Sequence, residues 1–209
     1  MNNTSEFRIC PETGLKIHRP AEALIRANAV AAVVFLLIGG VLGIGVGLTR
    51  WPEVHLLPAD MFYQVLTAHG IDMLIFWIIF FEIAVLYFCA STLLRCRLAT
   101  PKIAWVAFAL MLIGAVTNNV AVYQGASSVM MTSYVPMMAA PSFYLGLILF
   151  AVGALVACFV FLGTLVVAKR DTGHIDTGAP PSPCKLVAVD VHGNQSIASA
   201  TIPENTTGV

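Results

Sequence analysis

The feature that most limits what this chain can fold into is a long run without charge. Between Ile103 and Ala168 the sequence contains no Asp, Glu, Lys or Arg. Across the whole chain 58% of residues are hydrophobic and 11% are charged, whereas a soluble domain carries about 25% charged residues. The formal net charge is +0, so there is no field to attract nucleic acid. These features exclude a soluble enzyme, a disordered chain and a nucleic-acid-binding protein, and they indicate a membrane protein.

Four apolar stretches are long enough to cross a bilayer as helices, which takes about 20 residues each. We predict spans at residues 27–48, 62–94, 103–123 and 142–168. The first stretch is rich in glycine, and the four-residue spacing of Gly39, Gly43 and Gly47 favours close helix packing. It is expected to be a retained span and not a cleaved signal peptide. The predicted fold is therefore an all-α membrane protein with four transmembrane helices.

Lysine and arginine are concentrated on one side of the predicted spans. They precede the first span, lie between the second and third, and follow the fourth: Lys16, Arg19, Arg26, Arg95, Arg97, Lys102, Lys169 and Arg170. The other two loops contain Arg50 as their single basic residue. By the positive-inside rule, we expect both termini and the loop around residues 95–102 to be cytoplasmic, with the protein in the cell inner membrane.

The two ends of the chain differ in composition from the spans. Residues 1–26 are predicted to form a cytoplasmic N-terminal segment, and residues 27–170 the transmembrane domain. Residues 171–209 are rich in proline, glycine, serine and threonine and contain no apolar span, so we expect a flexible cytoplasmic tail. Within that tail, the weak alternation of residues 186–191 is compatible with a short strand.

His69 is the first candidate functional residue, because ionisable side chains inside spans are costly and are usually retained for function. The predicted orientation places it in the outer third of the membrane. One interpretation is a histidine hydrogen-bonded to a neighbouring helix. The other is an imidazole ligand to haem iron or another metal, with Gly70 leaving room for a flat macrocycle.

Three further residues are predicted to share the helix face of His69. At about 100° per residue, Met73, Phe76 and Phe80 fall within about 40° of it. Such a stripe suits a haem face, but it also suits ordinary helix packing. Periodicity leaves both alternatives open.

Two acidic residues in the second span are candidates for supporting roles. Asp72 lies one turn from His69, where it would either accept the second ring N–H of that histidine or hydrogen-bond a partner helix. Glu82 lies deeper and is either a proton relay or a protonated structural acid. In the third span, Asn118 and Asn119 are predicted to be interhelical hydrogen-bond donors.

The run Phe62–Gly70 (FYQVLTAHG) resembles the start of the second helix in subunit I of the haem–copper oxidases, most strongly in their divergent B-type branch. Three further runs are similar to members of the group: Cys10–Pro20 (CPETGLKIHRP), Ser133–Pro136 (SYVP) and Ser142–Gly146 (SFYLG). The resemblance covers about residues 8–170 and keeps helix order and orientation.

This resemblance implies a function for His69. In the family, the histidine of this motif is an axial ligand of the low-spin haem, of b or a type, toward the outer face. The implied activity is that of a cytochrome c oxidase-type enzyme, which passes electrons from an external donor such as cytochrome c to an oxygen-reducing haem–copper centre and translocates protons. The implied partners are oxidase subunit II, membrane lipid and the remaining helices of subunit I.

The chain also departs from the family pattern. Family members have more spans, and the ligands of copper and high-spin haem and the second ligand of low-spin haem lie in later helices. We therefore expect a truncated or split subunit I completed by another chain, or a remnant, with copper and high-spin haem present only in a complete complex. Two alternatives are a nitric oxide reductase built on the same scaffold and a haem-free membrane scaffold or assembly factor.

Overall fold

The structure is a computed structural model that describes residues 6–12, 14–125, 127–171, 185–189 and 195–199. Within these ranges, four helical stretches are long and apolar enough to cross a membrane. Their number and order confirm the predicted spans. Their bounds are Arg19–Arg50, Ala59–Leu93, Pro101–Tyr123 and Pro141–Arg170.

Three of the spans are single α-helices, and the second is interrupted by wider π turns. The elements are α1 (Arg19–Arg50), α2 (Ala59–Ile71), a first π segment (Asp72–Phe76), α3 (Trp77–Tyr87), a second π segment (Phe88–Leu93), α4 (Pro101–Tyr123) and α5 (Pro141–Asp171). The helix α1 begins eight residues before the predicted apolar stretch at residue 27, because charged residues end an apolar stretch without ending a helix. Proline lies in the first turn of α1 and of α4, where its missing N–H costs no hydrogen bond.

The first two spans pack against each other in opposite directions. Going along the second span toward its C-terminal end, His69 lies beside Gly43, Met73 beside Gly39 and Phe76 beside Phe35. Residue numbers therefore rise on one helix as they fall on the other. Gly39 and Gly43 are packing positions, as their spacing predicts.

The third and fourth spans approach closely enough for backbone contact. A Cβ atom placed on Gly114 would lie 2.5 Å from the backbone N of Phe150. The Asn118 side chain crosses the same interface, where its Nδ2 donates to the carbonyl oxygen of Phe143 at 3.0 Å. The prediction that Asn118 is an interhelical donor is confirmed.

The core between the spans is built around phenylalanine. Phe76 and Phe80 are completely buried. Their rings contact Phe35 of α1 and Phe150 of α5, with centroids 4.7–5.7 Å apart. These four rings join the first, second and fourth spans into one unit, since offset and tilted ring pairs stabilise beyond their buried area.

An N-terminal hairpin precedes α1, which the sequence analysis does not predict. Strands β1 (Phe7–Ile9) and β2 (Lys16–His18) pair antiparallel. His18 is buried, and its Nδ1 accepts the backbone N–H of Leu98 at 3.3 Å. Burial lowers the pKa of His18 below its ordinary value, which keeps the imidazole neutral and able to accept. The hairpin is thereby joined to the loop between the second and third spans.

A second two-stranded sheet lies in the C-terminal part of the chain. Strands β3 (Lys185–Val189) and β4 (Gln195–Ser199) pair antiparallel, with Lys185 opposite Ser199. The strand expected from the alternation at residues 186–191 is thus present in part, and it has a partner strand that was not predicted. The flexibility predicted for the rest of the 171–209 tail concerns residues outside the described ones.

Candidate functional site

The imidazole of His69 is held against the backbone of α1. Its Nδ1 lies 2.7 Å from the carbonyl oxygen of Gly39. A carbonyl oxygen only accepts, so Nδ1 carries the ring hydrogen and donates it. In the neutral imidazole the other ring nitrogen, Nε2, then has the free lone pair, and this is the form of imidazole that binds a metal.

Gly43 sets how closely the imidazole approaches α1. A Cβ atom at this position would lie 2.7 Å from Cε1 and 3.0 Å from Nδ1 of His69. Real Cβ atoms essentially never make contacts this short, so only glycine lets the ring occupy this place. Gly39 supplies the hydrogen-bond acceptor, and Gly43 supplies the space.

Thr67 joins the helix that carries His69 to a loop of the protein. The Thr67 hydroxyl donates to the carbonyl oxygen of Tyr63 and accepts the backbone N–H of Met130, both at 2.7–2.8 Å. Thr67 is completely buried, so these two bonds satisfy its hydroxyl. It therefore joins α2 to the loop between the third and fourth spans.

Gly70 has a different neighbour from the one expected. A Cβ atom here would lie 2.9 Å from Cβ of Met131, a residue of the same loop between the third and fourth spans. The missing side chain at Gly70 thus accommodates Met131. In the described structure, the room predicted for a macrocycle is used by the protein itself.

The stripe of Met73, Phe76 and Phe80 does run along one side of the second span, and that side faces α1. Met73 packs at Gly39, and both phenylalanines pack on Phe35. Because Phe76 and Phe80 are 0% exposed, neither ring offers a surface to a further group. The packing alternative therefore describes these phenylalanines, and they act by fixing the distance between α1 and the helix of His69.

Asp72 pairs with a neighbouring helix, which is the second of its two predicted roles. Its Oδ1 accepts Nδ2 of Asn119 in α4 at 2.8 Å, whereas Nδ1 of His69 bonds to Gly39. Asp72 is completely buried, and its Oδ2 has no partner among the described residues. The prediction that Asn119 is an interhelical donor is confirmed as well.

We expect Asp72 and Asn119 to be energetically coupled. Replacing Asn119 by Ala leaves the buried carboxyl group of Asp72 without its hydrogen-bond donor. The decrease in unfolding free energy caused by this change should therefore be smaller when Asp72 is also replaced by Ala. Interhelical hydrogen bonds in membranes contribute about 0.6 kcal/mol on average and up to about 1.7 kcal/mol. We expect a coupling of about 1 kcal/mol, measured by a double-mutant cycle on the unfolding free energy in denaturing detergent.

The matched control for this cycle is the neighbouring asparagine. Asn118 bonds to the main chain of Phe143 and not to Asp72. The Asn118→Ala and Asp72→Ala changes should therefore be additive. Equal coupling energies for both asparagines would contradict a specific Asp72–Asn119 bond.

Glu82 is exposed on the surface of the described helices, away from this group. It takes part in no hydrogen bond or ion pair found in the described residues. Its predicted role as a proton relay stays a prediction. No group of three or more potential metal-ligating side chains occurs in the described part of the chain, so a metal here would depend on His69 together with ligands from elsewhere.

Three contributors to the surroundings of His69 are not predicted from the sequence. The sequence predicts only a packing role for Gly39 and Gly43, although their spacing of four is the signal that a second helix approaches there. Thr67 precedes His69 by two residues, and nothing in the local sequence indicates that its hydroxyl bonds to a distant loop. Its role depends on a loop about sixty residues further along the chain, since the Met130 contact spans 63 positions.

Comparison with known families identifies the group to which these spans belong. The family model for cytochrome c and quinol oxidase polypeptide I matches residues 23–180, which is most of the chain. The chain belongs to this family. The match includes His69 and all four spans except residues 19–22 at the start of the first, and it agrees with the resemblance seen in the motifs.

The fold is also that of a solved family member. The chain is similar to a heme-copper terminal oxidase dimer determined by cryo-electron microscopy, with a TM-score of 0.63 and 25% sequence identity. The alignment covers 72% of this chain and 26% of that chain, so this chain spans about a quarter of its length. A search among functionally curated proteins finds no match. The four helices therefore form part of an oxidase polypeptide I fold in a multi-pass membrane protein.

Proposed function

We propose that His69 provides one axial ligand, through Nε2, to a low-spin haem in the N-terminal portion of a terminal oxidase subunit I. The observation that carries the proposal is the 2.7 Å contact between Nδ1 and the Gly39 carbonyl oxygen. In the neutral imidazole this bond leaves the lone pair on Nε2, and a hydrogen bond from the second ring nitrogen orients a metal-binding histidine and makes it a better ligand. The donor chemistry of His69 therefore fits haem iron.

The surrounding residues would act by positioning this ligand. Gly39 holds the tautomer, Gly43 lets the ring approach, and Thr67 secures the end of α2. Phe76 and Phe80 hold the second span at a fixed separation from α1 through Phe35. When bound, the haem would supply one-electron transfer toward an oxygen-reducing centre.

The second axial ligand is expected from outside the described helices. Apart from His69, the described histidines are His18, at the hairpin next to α1, and His55, in the loop that joins α1 to α2. Neither lies within a span. We propose that the second ligand, the copper ligands and the high-spin haem site come from further helices of subunit I or from a complementary chain.

The motif resemblance supports a finer assignment within the family. We propose a B-type oxidase that works with subunit II, an external donor such as cytochrome c and membrane lipid, and that couples oxygen reduction to proton translocation. The test is the optical spectrum of the complex purified through this chain. A Soret band with low-spin features is expected, and a haem-free complex would favour the membrane scaffold instead.

Topology is tested independently of haem. The distribution of lysine and arginine predicts cytoplasmic termini, with residue 98 inside and residue 130 outside. Alkaline phosphatase fused after residue 130 should be active, and the same enzyme fused after residue 98 should be inactive. The reverse pattern would move His69 to the cytoplasmic side of the membrane and contradict its proposed depth.

A further inference from the structure

A basic recess lies at the start of α1, at the far end of the first span from the loop that contains His55. It encloses about 310 Å³ and is lined by Arg8, Arg19, Glu22, Ala23 and Arg26. The four α1 residues follow the spacing i, i+3, i+4 and i+7, so they share one helix face. Arg8 arrives from strand β1 of the N-terminal hairpin, and the small side chain of Ala23 leaves the space open.

The recess has more positive than negative charge. Arg8 donates to Glu22 through Nε at 2.8 Å and Nη2 at 2.6 Å, and Arg26 pairs with the same carboxylate. One carboxylate thus faces three guanidinium groups. In the described part of the chain, the Arg19 guanidinium has no hydrogen-bond or ion-pair partner. The recess is therefore suited to an added anion.

The arginines also keep free donors. A guanidinium has five N–H groups in a planar fork that matches phosphate oxygens. Arg26 uses one Nη on Glu22, and its side chain is 72% exposed. Arg19 and Arg26 therefore both present unused N–H groups at the mouth of the recess.

The same face of α1 continues as an exposed apolar stripe. Val30, Val33 and Leu37 follow Arg26 at i+4, i+7 and i+11, and they are 64%, 53% and 63% exposed. Arg26 lies at the border where the uncharged part of the helix begins. An occupant with a charged head and an apolar chain matches both parts, whereas a free phosphate matches only the recess.

We propose that this recess binds the headgroup of an anionic phospholipid in the membrane leaflet on the side of the N terminus. The phosphate contacts Arg19 and Arg26, while one acyl chain lies along the stripe of Val30, Val33 and Leu37. Glu22 holds Arg8 and Arg26 in place and has its own charge offset by them. Basic pockets beside spans bind anionic headgroups in this way.

The test measures lipid binding by native mass spectrometry of the intact protein in its purified membrane complex. The probes are phosphatidylglycerol and phosphatidylcholine, added separately in detergent. We expect preferential retention of phosphatidylglycerol, weakened about fivefold by Arg19→Gln and about fivefold by Arg26→Gln. Both variants keep the Arg8–Glu22 pair, so the hairpin should stay docked. The matched control is Arg170→Gln, which removes an exposed arginine at the end of α5 on the same side of the membrane.

Each outcome decides the proposal. Loss of phosphatidylglycerol preference in the two recess variants, but not in the control, supports the site. Equal binding by the wild-type protein and both recess variants would overturn it. Displacement of the lipid by glycerol 3-phosphate at a similar concentration would show that the recess takes free phosphate, which would overturn the assignment to a lipid.

Discussion

Replacing His69 by Ala in the assembled oxidase complex is expected to abolish the low-spin haem spectrum. Alanine provides no lone pair for iron, and the described spans contain no other histidine to replace it. Optical and electron paramagnetic resonance spectra of the purified complex measure the result. An unchanged low-spin spectrum would contradict the ligand assignment and would favour the scaffold interpretation.

Two further variants separate loss of a ligand from loss of folding. His55→Ala should leave the spectrum intact, because His55 is an exposed residue of the loop between α1 and α2. His69→Gly should lose the low-spin signal and regain it when imidazole is added, since free imidazole can occupy the space of the missing ring. Failure of imidazole to restore any signal, in a complex that still assembles, would count against His69 as the ligand.

Replacing Gly43 by Ala is expected to weaken haem binding about 10–100-fold while the four helices still insert. The added Cβ would collide with the imidazole at 2.7 Å, so the ring must move and its bond to Gly39 must lengthen. Losing an outer hydrogen bond of a metal-binding histidine typically costs this much in metal affinity. Haem content per complex and the position of the low-spin band measure the effect.

The matched control lies on the same helix. A Cβ atom at Gly40 would meet nothing within 4 Å, so Gly40→Ala changes helix propensity equally without touching the ring. It should leave the haem content unchanged. Equal losses from Gly40→Ala and Gly43→Ala would indicate a general effect on α1 and not a contact with His69.

The pair of experiments on His69 and Gly43 tests different parts of the proposal. The His69 variants ask whether this nitrogen binds iron. The Gly43 variants ask whether α1 sets the position of the ring. If the His69 variants lose the low-spin spectrum but Gly43→Ala keeps the wild-type haem content, His69 remains the ligand and α1 has no role in positioning it.

The number, order and approximate bounds of the spans followed from the sequence alone. A segment in lipid must satisfy its own backbone hydrogen bonds, so an apolar stretch of sufficient length becomes a helix whatever its neighbours do. The family could also be identified from local motifs such as the run Phe62–Gly70. These are properties of short segments, which need no knowledge of how the segments pack.

The partners of the individual side chains needed the tertiary structure. Asp72 had two candidate partners in the sequence, and the choice of Asn119 depends on where α4 lies beside the second span. Asp72 and Met73 both lie against Gly39, and the π segment Asp72–Phe76 that begins there is not predicted by a constant 100° per residue. A regular helical period describes one helix by itself, so it says nothing about the neighbour it meets.

The same division holds at the candidate site. The sequence by itself determined that a costly imidazole lies within a span, because position 69 falls inside an apolar stretch. Only the tertiary structure decided which ring nitrogen is free, since that depends on the backbone carbonyl of Gly39, thirty positions away. It also decided that Phe76 and Phe80 are core residues, because burial is set by α1 and α5 together. The local sequence therefore determined which residue types are present at the candidate site, and the contacts between helices determined how they are arranged.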